Sequence, residues 1–243
     1  MAPYSHDEVI HNFAAAEAVL PLLFEKYKPM SLLDVGCGLG NWAAVAKKMG
    51  VPKIMGIDGY YVNKSLLKIN QEEFLAIDLK ESFDLKHQFD LVICLEVAEH
   101  LPVDSSEVFV KSLVNHSEVI LFSAAIPGQG GQFHINEQWP SYWQQLFEKN
   151  GFEMIDFFRN KIWNNSQIDP WYRQNLFLVV KKGHSLCIGN NFDIQSYVHP
   201  ELFTLYIKQQ EAKMKNLQET INRLSKRDLV GKINKFIKKI FSK

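Results

Sequence analysis

Two short runs, FDLVICL at residues 89–95 and EVILFS at 118–123, are apolar almost without interruption. A strand with one wet face alternates apolar and polar residues. A continuously apolar strand is covered on both faces, as in a parallel sheet between helices. Around these runs, strand-like and helix-like segments take turns. Strands are expected at 31–35, 53–57, 73–77, 89–95 and 118–123, with helices at 41–49, 62–69, 105–114 and 140–150. Alternation of this kind specifies a doubly wound α/β sheet. Residues 8–28 have helical periodicity interrupted at Pro21. After Asn150 the pattern changes to strands at 152–159 and 175–180 joined by a loop without a helix, which predicts a terminal antiparallel pair.

The sharpest local signal is LLDVGCGLGNW, residues 32–42. An apolar strand ends in Asp34 and Val35, glycines follow at 36, 38 and 40, and a helix begins near Asn41. Glycines at such a turn permit dihedrals that a Cβ penalises and bring backbone close to a ligand. The third glycine comes one residue too early for the dinucleotide fingerprint GxGxxG, and no GK[ST] follows to make a phosphate loop. Asp58 ends the second strand (KIMGID) and Asp78 the third (FLAIDL).

This set resembles motif I and its companions in class I S-adenosylmethionine-dependent methyltransferases, which have a Rossmann-like, mostly parallel seven-stranded sheet with an antiparallel terminal strand. The resemblance implies that Asp34 orders the loop or meets the ligand's ammonium group, and that Gly36, Cys37, Gly38 and Gly40 line its methionine and ribose. It implies that Asp58 accepts bonds from both ribose hydroxyls, that Asp78 bonds the adenine amino group, and that Leu79 packs beside the ring. Leu95, ending the fourth strand, completes the cofactor-binding set.

After that strand comes CLEVAEHLP, residues 94–102. A helix beginning near Val97 puts Glu96, Glu99 and His100 on one side. Such groups accept a proton, orient a nucleophile, bind a cation, or merely cap the helix. The segment 124–143, AAIPGQGGQFHINEQWPSYW, adds a glycine-rich loop and His134. His134, His100 and Glu99 are the catalytic candidates. ExxEH followed by a later histidine also resembles the small-RNA-terminal methyltransferases. That resemblance implies Glu96, Glu99, His100 and His134 around a divalent cation, Mg²⁺ or Mn²⁺.

The segments NEQWPSYW and DPWYRQN resemble bacterial methyltransferases of surface-polysaccharide assembly. The resemblance implies a small polar acceptor such as a sugar or sugar-linked group, with Trp163, Trp171, Tyr172 and Arg173 as candidate pocket wall. A non-catalytic ligand-binding module, or an enzyme of a non-sugar small molecule, are the competing readings.

Formal charge is zero but uneven. Residues 226–243 hold seven Lys/Arg and one Asp, a net +6, which leaves −6 on residues 1–225. An acidic body excludes an extended nucleic-acid contact, which needs many cations facing phosphates. The three cysteines lack a CxxC pairing and read as free thiols. Neither a signal-like start nor a span of about 18 apolar residues is present, so a cytoplasmic protein is expected. The domain organisation expected is a methyltransferase domain over 1–185, a linker over 186–199 and a helical tail over 200–243. Within the tail, Phe203, Ile207, Gln210, Met214, Leu217, Ile221 and Leu224 recur by four and three. Coiled-coil self-association or folding back onto the domain both fit that spacing. The segment LVGKINKFIKKIFSK has an apolar face (Leu229, Ile233, Phe236, Ile237, Ile240, Phe241) and five lysines, which suits an anionic inner membrane face or a partner.

Overall fold

The computed structural model describes residues 13–187 and 194–241. The chain divides into two compact units, Met1–His199 and Pro200–Lys243.

The first unit is built on seven strands: β1 (Ser31–Val35), β2 (Lys53–Asp58), β3 (Phe74–Ala76), β4 (Leu91–Leu95), β5 (Val119–Ser123), β6 (Phe152–Ile155) and β7 (Phe177–Lys181). They form one sheet in the order β3-β2-β1-β4-β5-β7-β6. β1 to β5 pair in parallel, and β7 runs antiparallel to both β5 and β6. Every residue of β1, β4 and β5 is buried, as their apolar sequences require. Alternate residues feed opposite faces. Leu32, Ile93, Leu95 and Leu121 join α1 (Ala14–Phe24) and α2 (Asn41–Lys48) in one core cluster. Leu33, Val92, Cys94 and Ile120 join α3 (Ser106–Val114) and α4 (Pro140–Lys149) in the other. The chain leaves β1 towards β2 and β3, then returns to β4 on the other flank of β1. Open α/β sheets bind ligands beyond the carboxyl ends of the strands at such a reversal, here β1 and β4.

Several boundaries differ from those expected. The helix expected over 62–69 is only a 3₁₀ turn, Lys64–Leu66, because the Asn63 side chain accepts the Ser65 N–H at 3.0 Å and fixes a local turn instead. The helix expected near Val97 is likewise a single 3₁₀ turn, Ala98–His100. α1 runs through Pro21 rather than stopping there. The stretch expected to be a bare loop between β6 and β7 contains two short helices, α5 (Arg159–Ile162) and α6 (Pro170–Asn175). Tertiary contacts hold α5: buried Arg159 pairs with Asp156 at 2.7 Å and lies over the Phe177 ring.

The first compact unit runs to His199. The Gln195 carbonyl accepts from Arg159 at 2.8 Å, and buried His199 donates its N–H to Gln174 Oε1 at 2.7 Å. Gln195 and His199 thus tie this segment to the first unit, while residues 195–198 are exposed. The second unit is one helix, α7 (Pro200–Phe241). No helix among the described residues is long and apolar enough to cross a membrane. Of the six residues on the basic segment's apolar face, Ile233 and Ile237 are exposed; the other four side chains lie outside the described set.

Candidate active site

The glycine turn follows the carboxyl end of β1. Gly36, Gly38 and Gly40 have φ of +72°, +55° and +84°, the left-handed region that favours glycine. A Cβ on Gly36 would also meet Val97 Cγ2 at 2.3 Å, so the turn lies hard against the loop after β4. The N–H groups of Gly36 and Cys37 both donate to the Ile57 carbonyl, at 2.8 and 3.1 Å.

Asp34, Asp58 and Asp78 stand at the carboxyl ends of three adjacent strands. Asp34 is buried and accepts the Ala43 N–H at 3.3 Å, tying strand to helix across the turn. Burial, aided by the nearby Asp58 charge, pushes its pKa up to about 7. Asp58 accepts the Gly38 N–H at 2.7 Å on one oxygen. Its other oxygen takes the Gly59 N–H and the Tyr61 hydroxyl, each at 2.6 Å. Asp78 is exposed and accepts the Lys80 N–H at 3.0 Å, while Leu79 beside it packs into the core. Leu95 is buried in the opposite cluster. The Cys37 side chain faces Gly56, where a Cβ would meet its sulfur at 2.8 Å, and burial pushes its thiol pKa well up. Cys37 is therefore not a reactive thiolate.

Glu96 follows β4 with φ of +54°, a strained conformation for a residue with a Cβ. Its N–H is held by the Ser123 carbonyl at 3.0 Å and the Ser123 hydroxyl at 3.1 Å. Its carboxylate accepts from Gln129 at 3.1 Å and from Asn175 at 3.2 Å. Asn175 and Gln174 donate in turn to Gln129 Oε1, at 2.9 and 3.2 Å. Sequence reasoning missed Gln129, Gln174 and Asn175. The signal available was a pair of amides, Gln174–Asn175, directly before the buried strand β7, where amides must find partners.

Glu99, His100 and His134 come together: one ligand atom from each lies within 4.8 Å of the others. Glu99 is fully buried, and neither carboxylate oxygen has a hydrogen-bond partner. Burial, and then the charge of Glu96, push its pKa well up. The two imidazoles meet edge to face at 4.8 Å. Burial and the neighbouring His134 lower the His100 pKa to about 4, so its ring is neutral at physiological pH. His134 Nδ1 lies 3.0 Å from Glu137 Oε1. Glu137 also accepts the Gly128 and Gly130 N–H groups, each at 2.7 Å, fixing the glycine-rich loop around that histidine. Expected as a fourth ligand, Glu96 stands outside this cluster, because Gln129 and Asn175 occupy its carboxylate.

The expected pocket wall is engaged elsewhere. Arg173 is buried and directs Nη1 at the Trp163 carbonyl (3.3 Å) and His199 Nε2 (3.2 Å), so it ties the chain together instead of waiting for an anion. Trp163 packs on His199, and Tyr172 meets Trp42 and Trp171.

The strand order, the antiparallel β7 and the glycine turn at the switch point define the class I methyltransferase fold. Residues 9–157 match the methyltransferase-domain family, and the chain belongs to it. A ubiquinone biosynthesis O-methyltransferase of Nitrobacter winogradskyi is 31% identical over 77 residues, which is 30% of this chain and 29% of that protein. The chain thus spans under a third of that relative's length. Among solved structures, the sugar N-methyltransferase KedS8 from Streptoalloteichus sp ATCC 53650 superposes with a TM-score of 0.55 at 17% identity, over 74% of this chain and 96% of that one. Magnesium protoporphyrin IX methyltransferase from Synechocystis PCC 6803, solved with bound SAM, gives 0.51 at 18% identity, over 71% and 80%.

Proposed function

We propose that the chain is an S-adenosylmethionine-dependent methyltransferase that O-methylates a small polar acceptor, a sugar or sugar-linked group of surface-glycan biosynthesis, in the cytoplasm. The observation that carries the cofactor is the placement of Asp34, Asp58 and Asp78 on three adjacent strand ends around a left-handed glycine turn. The cofactor's sulfonium supplies an electrophilic methyl group, so the protein's main task is to align the acceptor, and positioning dominates. A hydroxyl acceptor also needs its proton taken. With Glu137 accepting from Nδ1–H, His134 keeps Nε2 free as the base, worth roughly 10²–10⁴-fold in rate.

Exposed aromatic side chains on the loops after β2 and β5, Tyr60, Tyr61, Phe133 and Trp139, support a sugar acceptor, whose C–H faces pack on rings. A second reading is a phenolic or other non-sugar small molecule, favoured by the O-methyltransferase relative. As an alternative to the base role of His134, the unpartnered, buried Glu99 carboxylate supports a divalent cation, Mg²⁺ or Mn²⁺, held by Glu99, His100 and His134 Nε2, where it would bind acceptor oxygens. Calorimetry with the cofactor, then methyl transfer from labelled cofactor to a panel of nucleotide sugars, lipid-linked sugars and catechols, tests these assignments. Cofactor binding without transfer to any hydroxyl would leave a ligand-binding module.

A further inference from the structure

Helix α7 by itself carries an apolar stripe. Phe203, Ile207, Met214, Leu217, Ile221 and Leu224 are 39–66% exposed, and with Gln210 they recur at alternate steps of four and three. Between 203 and 224 nearly all other positions are polar or small, Leu205 and Tyr206 being the exceptions. A stripe two residues wide per heptad is a coiled-coil seam, narrower than the face of a helix that lies on a sheet or a membrane.

We infer that residues 203–224 form a parallel, in-register, two-stranded coiled coil with a second copy of this chain. Three observations select that partner. Numbered as heptads, the a positions are Ile207, Met214 and Ile221, and the d positions are Phe203, Gln210, Leu217 and Leu224. β-Branched isoleucine at two of the three a positions with leucine at two of the four d positions favours two parallel strands. Gln210 selects identity and register. An amide inside an apolar seam is costly unless it is answered, and an identical chain in register sets a second Gln210 in the same layer, where N–H donates to C=O. A shifted register sets it against an apolar side chain. The seam also stops where pairing would be opposed. Its next positions are Asp228, Gly231 and Lys235, inside the segment of net +6. Two such segments repel and diverge. Glu211–Lys215 and Glu219–Arg223, spaced i,i+4 off the seam, favour the helix itself.

Sedimentation equilibrium on the full chain tests this. The mass is expected to rise from one chain of 28.1 kDa towards two with increasing concentration. Leu217→Glu with Ile221→Glu should weaken association at least tenfold. Both residues belong to the second unit, so the melting of the first unit should not change. Gln210→Leu should tighten association while admitting species larger than two chains. Leu217→Cys should form an interchain disulfide on oxidation, above the wild-type background from Cys37, Cys94 and Cys187. A single-chain mass at every concentration overturns the inference. So does a dimer that survives the double substitution, or a seam-dependent dimer in which position 217 does not cross-link.

Discussion

The Tyr61 hydroxyl donates to Oδ1 of Asp58 at 2.6 Å, while the other oxygen of that carboxylate holds the Gly38 N–H at 2.7 Å. The residue expected to receive the cofactor's ribose is therefore already engaged by the chain's own donors, one of them on a half-exposed ring. A ribose hydroxyl arriving at Oδ1 competes with Tyr61, whereas the bond to Gly38 belongs to the glycine turn itself. Tyr61→Phe should accordingly tighten binding of the demethylated cofactor about two- to tenfold, one hydrogen bond's net worth of roughly 0.5–1.5 kcal/mol. Asp58→Ala should weaken it by more than tenfold. Calorimetry reads both; unchanged affinity in Asp58→Ala removes the ribose from this position.

Asp34 makes stability depend on pH. Its carboxyl titrates at about 7 in the fold against 3.8 in the unfolded chain. Between those values the native state binds more protons than the unfolded one, so stability falls as pH rises from roughly 4 to 7. The gap between the two corresponds to about 4 kcal/mol. Asp34→Asn should flatten that part of the profile in urea unfolding at pH 5 and pH 8. If the cofactor's ammonium meets Asp34, binding near pH 6 should release a proton in wild type and none in Asp34→Asn. That is read from calorimetry in buffers of different ionisation enthalpy.

The cation reading has its own test. Mn²⁺ binding followed by calorimetry should be lost in Glu99→Gln and His134→Ala but kept in Glu96→Gln. Excess chelator should abolish methyl transfer, and Mg²⁺ or Mn²⁺ should restore it. Full activity in chelator leaves His134, oriented by Glu137, as a proton acceptor alone.

Gly36→Ala combines a φ of +72° with a Cβ placed 2.3 Å from Val97 Cγ2. The strained backbone alone should cost about 1–3 kcal/mol of stability. Adding Val97→Ala removes the 2.3 Å clash but leaves a Cβ contact at 3.2 Å and the dihedral, so thermal unfolding of the double variant should recover only partly. Complete recovery would show that φ contributes nothing.

The basic segment should bring the protein to anionic vesicles at low salt, since each Lys or Arg near such a surface contributes about 1 kcal/mol. Truncation after Ser225 should leave the protein in the supernatant. Wild-type protein that does not co-sediment with phosphatidylserine vesicles removes the membrane from its function.

The features legible along the chain are those with a local physical cause. Apolar runs specify strands covered on both faces, and period-two alternation divides β1, β4 and β5 between two cores. Three glycines announce a left-handed turn, and acids at strand ends stand beside it. The arrangement around Glu96 and Glu99 is of another kind. Glu96 and Asn175 are 79 positions apart, and no short-range pattern encodes which amide that carboxylate will meet. Arg173 looked available to an anion until the fold brought the Trp163 carbonyl and His199 to its guanidinium. Glu99 read as one face of a helix that does not form; a single 3₁₀ turn buries its carboxylate without a partner beside two imidazoles. The strands and the glycine turn follow from neighbours in sequence, whereas a short helix such as α5 and the partner of a buried polar group are chosen by whatever distant segment packing delivers to them.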